Sequence, residues 1–409
     1  MRVIGMDVHR SFAEVIFLID GELVHGGRVG LDRGHLIAFA ETLRPDDEVV
    51  VEATGNTMAV VRLLEPYVAR VVIANPRQVR AIAYAKIKTD KIDAAVLAQL
   101  HASGFLPEVW RPDEETLALR RQVARRNQIV RARTRLKNQV HAVLNAYLIP
   151  CYPGADLFGK RGREWLAGQP LPADERFAIQ SRLRELDRLG EDLEAIEQTL
   201  AEGALGDADI KRLLTITGVN LAVAVGVKAA IGTIDRFRSP AKLVSYFGLN
   251  PSVRQSGNQP AQHGRITKQG RAHPRAMLVE AAWAAAKAPG PLRAFFMRVR
   301  AKRGHQIAAV ATARKLAVLV WHMLTKDEDF HWARPSLVAK KQRDLELKAG
   351  RPSEKGNKRG KAYDYNLRHV REQERRVVEQ AERAYQKYVT GWRPKGPCRR
   401  TGATKERAL

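Results

Sequence analysis

One carboxylate narrows the choice of folds more than anything else in the chain. Asp7 stands inside the run Arg2 to Val8, among Val3, Ile4, Met6 and Val8. Such a run is expected to form a buried strand, where an acid is disfavoured. Acids in such places serve a purpose, so this strand is expected to border a site. The alternation that follows sets its surroundings. Strands are predicted near 2 to 8, 13 to 19 and 22 to 30, a helix near 33 to 43, a strand at 48 to 53, a helix at 57 to 67 and a strand at 70 to 74. Asn75-Pro76 then breaks the pattern before further helix.

Three more acids complete a set. Glu52 ends the run Glu48 to Glu52, and Asp90 and Asp93 stand three apart in Lys88-Thr-Asp-Lys-Ile-Asp-Ala94, which opens a helix-forming stretch. Residues i and i+3 share a helix face, so Asp90 and Asp93 can point together at strand ends carrying Asp7 and Glu52. A hard cation such as Mg²⁺ takes carboxylate oxygens and keeps several waters. Two such ions about 3.5 to 4 Å apart clamp a phosphodiester during in-line displacement. The chemistry implied is cutting or joining nucleic-acid strands. Plainer roles compete, with Asp90 as a helix N-cap and Asp93 as a first-turn anion. A strand meander followed by alternating strands and helices is the order of a ribonuclease-H-like fold, whose metal site lies beside the ends of neighbouring strands.

The rest of the chain points to a polyanionic partner. Its 409 residues suffice for two or three domains with real cores. The net charge of +26, from 70 Lys and Arg against 44 Asp and Glu, exceeds what solubility requires, and nucleic acid is the economical partner. A membrane would also attract cations, but no run of about 18 apolar residues stands out and the start lacks a signal-peptide core. An intracellular protein is expected. Cys151 and Cys398 have no companions at zinc spacing, and neither a disulfide framework nor a zinc site is suggested.

From Asp113 to about Leu148 the pattern predicts one long basic helix. An apolar stripe, including Leu117, Val123, Val130, Leu136, Val140 and Leu144, is interleaved with arginines and a lysine. Arg125, Arg126, Arg133 and Lys137 are its candidate nucleic-acid contacts. Residues 174 to 201 predict a second helix, with Ile179, Leu186, Leu193 and Leu200 at heptad spacing. The pair forms a hairpin whose seam either closes on itself or builds a dimer. Residues 211 to 325 read as a mostly helical unit opening on Leu213 to Ala224, which resembles a helix-hairpin-helix with Thr217 and Asn220 where a proline and a second glycine are usual. The tail after Phe330 is strongly basic. Residues 351 to 361 read as a flexible stretch and 366 to 388 as a helix, in either a solvated appendage or a nucleic-acid-binding extension.

Several motifs in order resemble the DEDD insertion-sequence transposases of the IS-one-ten family over roughly residues 1 to 325. They are Gly5-Met-Asp-Val-His9, Val51-Glu-Ala-Thr-Gly55, Lys88 to Ala94, Tyr246-Phe-Gly-Leu-Asn-Pro251, Gln255-Ser-Gly257 and Gly264-Arg-Ile-Thr-Lys-Gln-Gly270. The resemblance implies an α/β plus α protein in four parts. These are a RuvC-like domain at 1–110, a helical hairpin at 111–205, a transposase domain at 206–328 and a basic extension at 329–409. It implies that Asp7, Glu52, Asp90 and Asp93 are the tetrad binding Mg²⁺, and that Ser256 is the nucleophile. Ser245 and Ser252 are local rivals, and Arg254, Arg265, Lys268 and Arg271 would neutralise developing phosphate charge. It further implies a composite site formed by the serine and tetrad of different subunits, in a dimer or tetramer. DNA would be chosen by pairing to a structured noncoding bridge RNA, in the prokaryotic cytoplasm or on the nucleoid.

Other readings share parts of this pattern. A Holliday-junction resolvase would need the acids but neither Ser256 nor the helical third domain. A noncatalytic nucleic-acid-binding protein would need only the charge. A sugar-kinase or actin-like ATPase would also open on Gly-Met-Asp, but its phosphate loop needs small residues after the Asp, and Val8, His9 and Arg10 are bulky.

Overall fold

The computed structural model describes residues 2–83, 89–257, 259–353 and 360–391. Lys88, most of the 351 to 361 stretch and Cys398 lie outside them. Contacts divide the chain into two compact units, Met1–Asp113 and Glu114–Leu409.

Unit 1 is a mixed α/β layer. Its strands are β1 (Arg2–Val8), β2 (Phe12–Ile19), β3 (Glu22–Gly30), β4 (Glu48–Glu52) and β5 (Arg70–Ala74). Its helices are α1 (Arg33–Ala40), α2 (Thr57–Leu64), α3 (Pro76–Ile82) and α4 (Asp90–Ala102). The sheet order is β3-β2-β1-β4-β5; β1, β2 and β3 are antiparallel, and β4 and β5 run parallel to β1. Alternation along β1 sorts its side chains onto two faces. Ile4, Met6 and Val8 join Val49, Val51, Leu36, Val60 and Leu64 in the core beneath α1 and α2. Val3 joins Val50, Ala74, Leu97 and Ala98 on the face covered by α4. Asp7 continues that second face.

The second face is tightly closed at Gly5. A Cβ there would lie 2.0 Å from the Ala94 carbonyl oxygen and 3.1 Å from the Ala98 nitrogen, so only glycine lets the backbone of α4 come this close. His101, in the last turn of α4, pairs with Glu48 at the start of β4. At the other margin, Arg2 makes a bidentate pair with the fully buried Asp47, at 2.8 and 2.5 Å.

Unit 2 is mostly helical: α5 (Glu114–Ala146), α6 (Lys160–Ala167), α7 (Ala173–Ala204), α8 (Ala208–Leu214), α9 (Leu221–Ile231), α10 (Pro240–Tyr246), α11 (Ala272–Lys287), α12 (Pro291–Arg303), α13 (His305–Lys326), α14 (Pro335–Lys348), α15 (Lys361–Asp364) and α16 (Arg368–Gly391). The segment expected to be mostly helical also holds an antiparallel hairpin, β6 (Pro251–Arg254) and β7 (Gln262–Ile266). The long helices α5 and α7 pack on each other, burying Leu136, Val140, Ile179 and Leu186. The core centres on α9, α11 and α13. By length and composition α13 could cross a membrane, contrary to the expectation that no such stretch exists, and half of its most apolar window is buried within the unit.

In the tail, α14 and α16 pack against other helices of the unit. They have apolar stripes that bury Leu345 of α14 and Val378 and Ala381 of α16. Lys341 of α14 donates to the carbonyls of Leu214 and Ile216 at the end of α8, at 2.7 and 2.9 Å. Burial pushes its ammonium pKa down to about 8. On α16, Glu382 is buried and accepts from Gly290 N and from Arg293.

The Gly5 contact carries a direct test. Gly5→Ala forces α4 off the sheet or distorts β1, and overpacking of this kind costs about 1–3 kcal/mol. Denaturant unfolding of the variant should show that loss, and an unchanged midpoint would mean that α4 is not held by this contact.

Candidate functional site

Strand ends and the first turn of α4 bring the four expected acids together. Asp7, Glu52 and Asp93 line one cavity of about 80 Å³ with Arg80, Val79 and Leu97. Asp90 also neighbours Asp7: single ligand atoms of Asp7, His9 and Asp90 all fall within 4.8 Å of one another. Thr89 caps α4 by accepting from Ile92 N at 3.3 Å. Asp90 is therefore not the N-cap that its position suggested, which leaves its carboxylate to face the strands. Glu52 is steadied by the turn after β4, where Thr57 Oγ1 donates to the Glu52 carbonyl at 2.8 Å.

The electrostatics suit a cation. Burial raises the Asp7 pKa; His9 opposes the rise, while the neighbouring charges of Asp93 and Asp90 add to it. Carboxylates crowded this way repel one another unless positive charge is supplied. A cavity of about 80 Å³ has room for an ion and a water or two, since a water's share of liquid volume is about 30 Å³. The donor set and the space both fit a divalent ion with oxygen ligands.

Four neighbours, His9, Glu14, His25 and Arg28, were not singled out from sequence. His9 follows Asp7 by two residues, so the pair shares a side of the chain, and this spacing was the available signal. Its Nε2 lies 3.3 Å from Asp7 Oδ2 and 3.4 Å from Asp90 Oδ2. Glu14 stands opposite Asp7 on β2. Burial alone would raise its pKa, but Arg28 and His25, at 2.8 and 2.6 Å, hold it below its ordinary value. Arg28 also lies 3.9 Å from Asp90. Glu14 and its two partners therefore form a satisfied ion group beside the crowded one.

In unit 2, Ser256 is exposed in the loop between β6 and β7, next to Gly257 in the left-handed region at φ +54°. Arg254, Arg265, Lys268 and Arg271 are all exposed on the hairpin or just after it. The hairpin is stitched to the turn after α10: Thr267 N donates to Asn250 O, Lys268 N to Gly248 O and Arg271 N to Tyr246 O. Gly248, at φ +66°, is held so close to Lys268 and Gln269 that a Cβ would meet their backbone below 3 Å. Ser252 Oγ packs against Gly264, and Ser245 lies in α10.

The basic residues expected on the long helix are differently placed. Arg126 is turned onto Glu197 of α7 at 2.6 Å, a pair joined by Lys348. Arg125 reaches Asp192 at 3.3 Å, and Lys137 sits 4.8 Å over the Phe158 ring. Arg133 is half-buried. Arg125 and Arg126 are thus answered within the unit by acids of α7. The helix-hairpin-helix turn also faces inward. Gly218 abuts the backbone of α11 and Asn220 caps α9.

A transposase model of the DEDD, IS110 type matches residues 4–149, and the model of the Transposase IS116/IS110/IS902 family matches residues 210–297. The y4qE protein of Sinorhizobium fredii, which carries a transposase name, is 33% identical over 205 residues, and the chain spans about half of that relative's length (48% of each chain). The transposase for insertion sequence element IS1111A of Coxiella burnetii is 24% identical, covering 81% of this chain and 91% of its own. A Pseudomonas aeruginosa protein named as a family 20 transposase is 27% identical, covering 79% and 97%.

The raised Asp7 pKa predicts how the metal-free protein responds to substitution. For an acid whose folded pKa is raised, stability is fully present below the unfolded value near 3.9 and is lost as pH rises through the folded value. In chelator at neutral pH, Asp7→Asn should therefore melt higher by a few degrees, since replacements relieving strain at functional sites commonly return about 0.5–2 kcal/mol. The difference should vanish in acid. A variant that melts lower at neutral pH would make Asp7 a structural residue.

Proposed function

The chain belongs to the IS116/IS110/IS902 family of transposases, enzymes that act on DNA, and from that premise we propose that it cuts and exchanges DNA strands to move an insertion sequence, using the acid cluster of unit 1 and Ser256 of unit 2. The observation that carries the reading is the convergence of Asp7, Glu52, Asp90 and Asp93 on one place in a sheet of order 3-2-1-4-5. That order supports a RuvC-like catalytic domain at 1–110, followed by the hairpin at 111–205, a serine-bearing domain at 206–328 and a basic extension from 329. The DEDD family model implies a divalent metal, and we take it to be Mg²⁺. Bound there, such an ion supplies charge stabilisation at the phosphate oxygens and orients the reacting groups.

The residues of the chain do the rest. Asp7, Glu52, Asp90 and Asp93 would hold the cation. Ser256 Oγ attacks phosphorus, loses its proton to an acidic or solvent base, and displaces the sugar hydroxyl of the broken strand. The phosphodiester energy is kept in a phosphoserine link, so the strand is rejoined to a new hydroxyl without further input, whereas attack by water would release free ends. Exposure of Ser256 at a hairpin tip suits access to DNA, and Arg254, Arg265, Lys268 and Arg271 stand where phosphate charge would develop. Serine and acids lie in different units, which suits a site completed between subunits of a dimer or tetramer. A structured noncoding RNA would choose the DNA. The net charge of +26 accommodates either nucleic acid.

Trapping the protein on element-end DNA and mapping the adduct tests the nucleophile. Attachment at Ser256 is expected, with loss of recombination in Ser256→Ala by several orders of magnitude. An adduct elsewhere, or recombination by the alanine variant, rejects the assignment. An Asp7→Ala subunit mixed with a Ser256→Ala subunit should recover part of the activity; proven heteromers that stay inactive place the site within one chain.

Charge makes a second expectation. Affinity for DNA should fall by orders of magnitude between about 50 and 200 mM salt if several phosphates are neutralised. Arg265→Ala should reduce the salt slope by about one contact, while Arg126→Ala should weaken folding rather than binding, because Arg126 is paired to Glu197. An equal effect of both on the slope would contradict the division between exposed and internal arginines.

A further inference from the structure

His9 is held as a ligand would be held. Its backbone N donates to Phe12 O at 2.9 Å, and its carbonyl accepts from Asn56 Nδ2 at 3.0 Å. Its ring rests on the Phe12 ring at 4.7 Å. These contacts fix the imidazole with Nε2 between two carboxylates. That nitrogen is buried, yet it has no hydrogen-bond partner among the described residues. The carboxylate oxygens beside it stand at 3.3 and 3.4 Å, longer than the usual range of about 2.7–3.2 Å for an N–H···O bond. A buried polar atom left this way costs free energy unless something else meets it.

The spacing suits one ion met by all three groups. Bonds of about 2.1 Å put neighbouring donor atoms of an octahedral or tetrahedral ion about 3.0 to 3.4 Å apart. The two distances from His9 Nε2 fall in that range. A second set of oxygens, from Glu52 and Asp93, lies in the cavity that Asp7 also lines. Asp7 is thus the common member of a nitrogen-containing group and an all-oxygen group.

We infer that His9 Nε2 is a direct metal ligand, joining Asp7 and Asp90 in a mixed nitrogen and oxygen site, and that it shifts the cluster's preference from Mg²⁺ toward Mn²⁺ and later first-row ions. Imidazole favours those ions, whereas carboxylate and water suit Mg²⁺. The inference rests on the metal-binding reading of the acid cluster, and goes beyond it by adding a ligand that the four-acid pattern does not contain. The role of Phe12 and Asn56 is to orient the ring, as outer groups do in metal sites.

Mn²⁺ is the probe, with the full-length protein and no DNA. Pulsed electron paramagnetic resonance of the wild-type complex should show coupling to an imidazole nitrogen. His9→Ala should abolish the coupling and weaken Mn²⁺ binding about tenfold or more, a scale that even supporting groups reach, while changing Mg²⁺ binding by less than about threefold. His9→Asp guards against mere misfolding: it should restore ion binding with an oxygen donor, show no nitrogen coupling, and favour Mg²⁺ more than the wild type does. Wild-type Mn²⁺ without nitrogen coupling would reduce His9 to an ion-pair partner and overturn the inference, as would coupling that survives in His9→Ala. Because the readout is binding, coupling without any Ser256 adduct on DNA would sink the proposed function and leave the ligand standing. Failure of Mn²⁺ to bind at all would sink both.

Discussion

The acid cluster depends on how closely α4 can lie against β1. Ala94 and Ala98 present almost bare backbone to the strand, and Gly5 gives them nothing to strike. With the helix axis drawn in at that point, Asp90 and Asp93, within one turn of Ala94, reach the level of Asp7. A side chain at position 5 would raise the helix by an ångström or more, and metal sites tolerate only a few tenths of an ångström in ligand distance. Glycine weakens an ordinary strand interior. Here its absence of a side chain is what the site requires, and Val3 with the fully buried Val49, Val50 and Val51 of β4 supply the apolar burial that compensates.

Two groups of buried charge on one sheet face show how the fold separates structure from chemistry. Glu14 has its partners built in, with Arg28 and His25 holding the carboxylate ionised. Asp7, directly across the strand pair, is surrounded by like charge and is pushed the other way. Both acids are buried, and their neighbours set the direction in which each is pushed. A carboxylate matched by protein cations has no need of an external ion, whereas one acted on chiefly by other acids and an imidazole, among the described residues, gains from one. Arg28 stands between the groups, bonded to Glu14 and 3.9 Å from Asp90, and so marks the border.

Much of unit 1 was legible because alternation and turn residues agree there. The strand ends fall within a residue of expectation, and the differences have local causes. The helix after Asn56 tightens to a 3-10 turn at Glu65-Pro66, since proline cannot continue the ladder. The helix expected over 33 to 43 stops at Ala40, where Glu41, Thr42 and Leu43 close a turn instead. Spacing alone could bring the four acids to strand ends and one helix face. It could not give His9 its role, because a histidine just past a strand is unremarkable until the ring's supports are seen. Nor could it find β6 and β7, whose sequences Pro-Ser-Val-Arg and Gln-His-Gly-Arg-Ile lack an apolar alternation; their pairing is held by the turn after α10 rather than by a core face.

Charge was the least legible quantity, for a physical reason. A net charge sums over residues and carries no information on which cations already have partners. In unit 2 the arginines divide by the element they face. Arg126 meets an acid of α7, and Arg120 and Arg236 donate to the carbonyls that end α9, satisfying a helix terminus at Ala229, Ala230 and Ile231. Tyr246 sits among Arg271, Arg236 and Arg120, which hold its phenol below the usual range despite burial. Arg120 and Arg236 thereby serve the fold. By contrast, Arg254, Arg265 and Lys268 project from a two-stranded hairpin too short to bury them, on either side of the loop that carries Ser256. A small hairpin has no interior in which to neutralise charge, so placing cations there leaves them available to phosphate. That is why this modest element, rather than the longest and most basic helix, is the stronger candidate for meeting DNA.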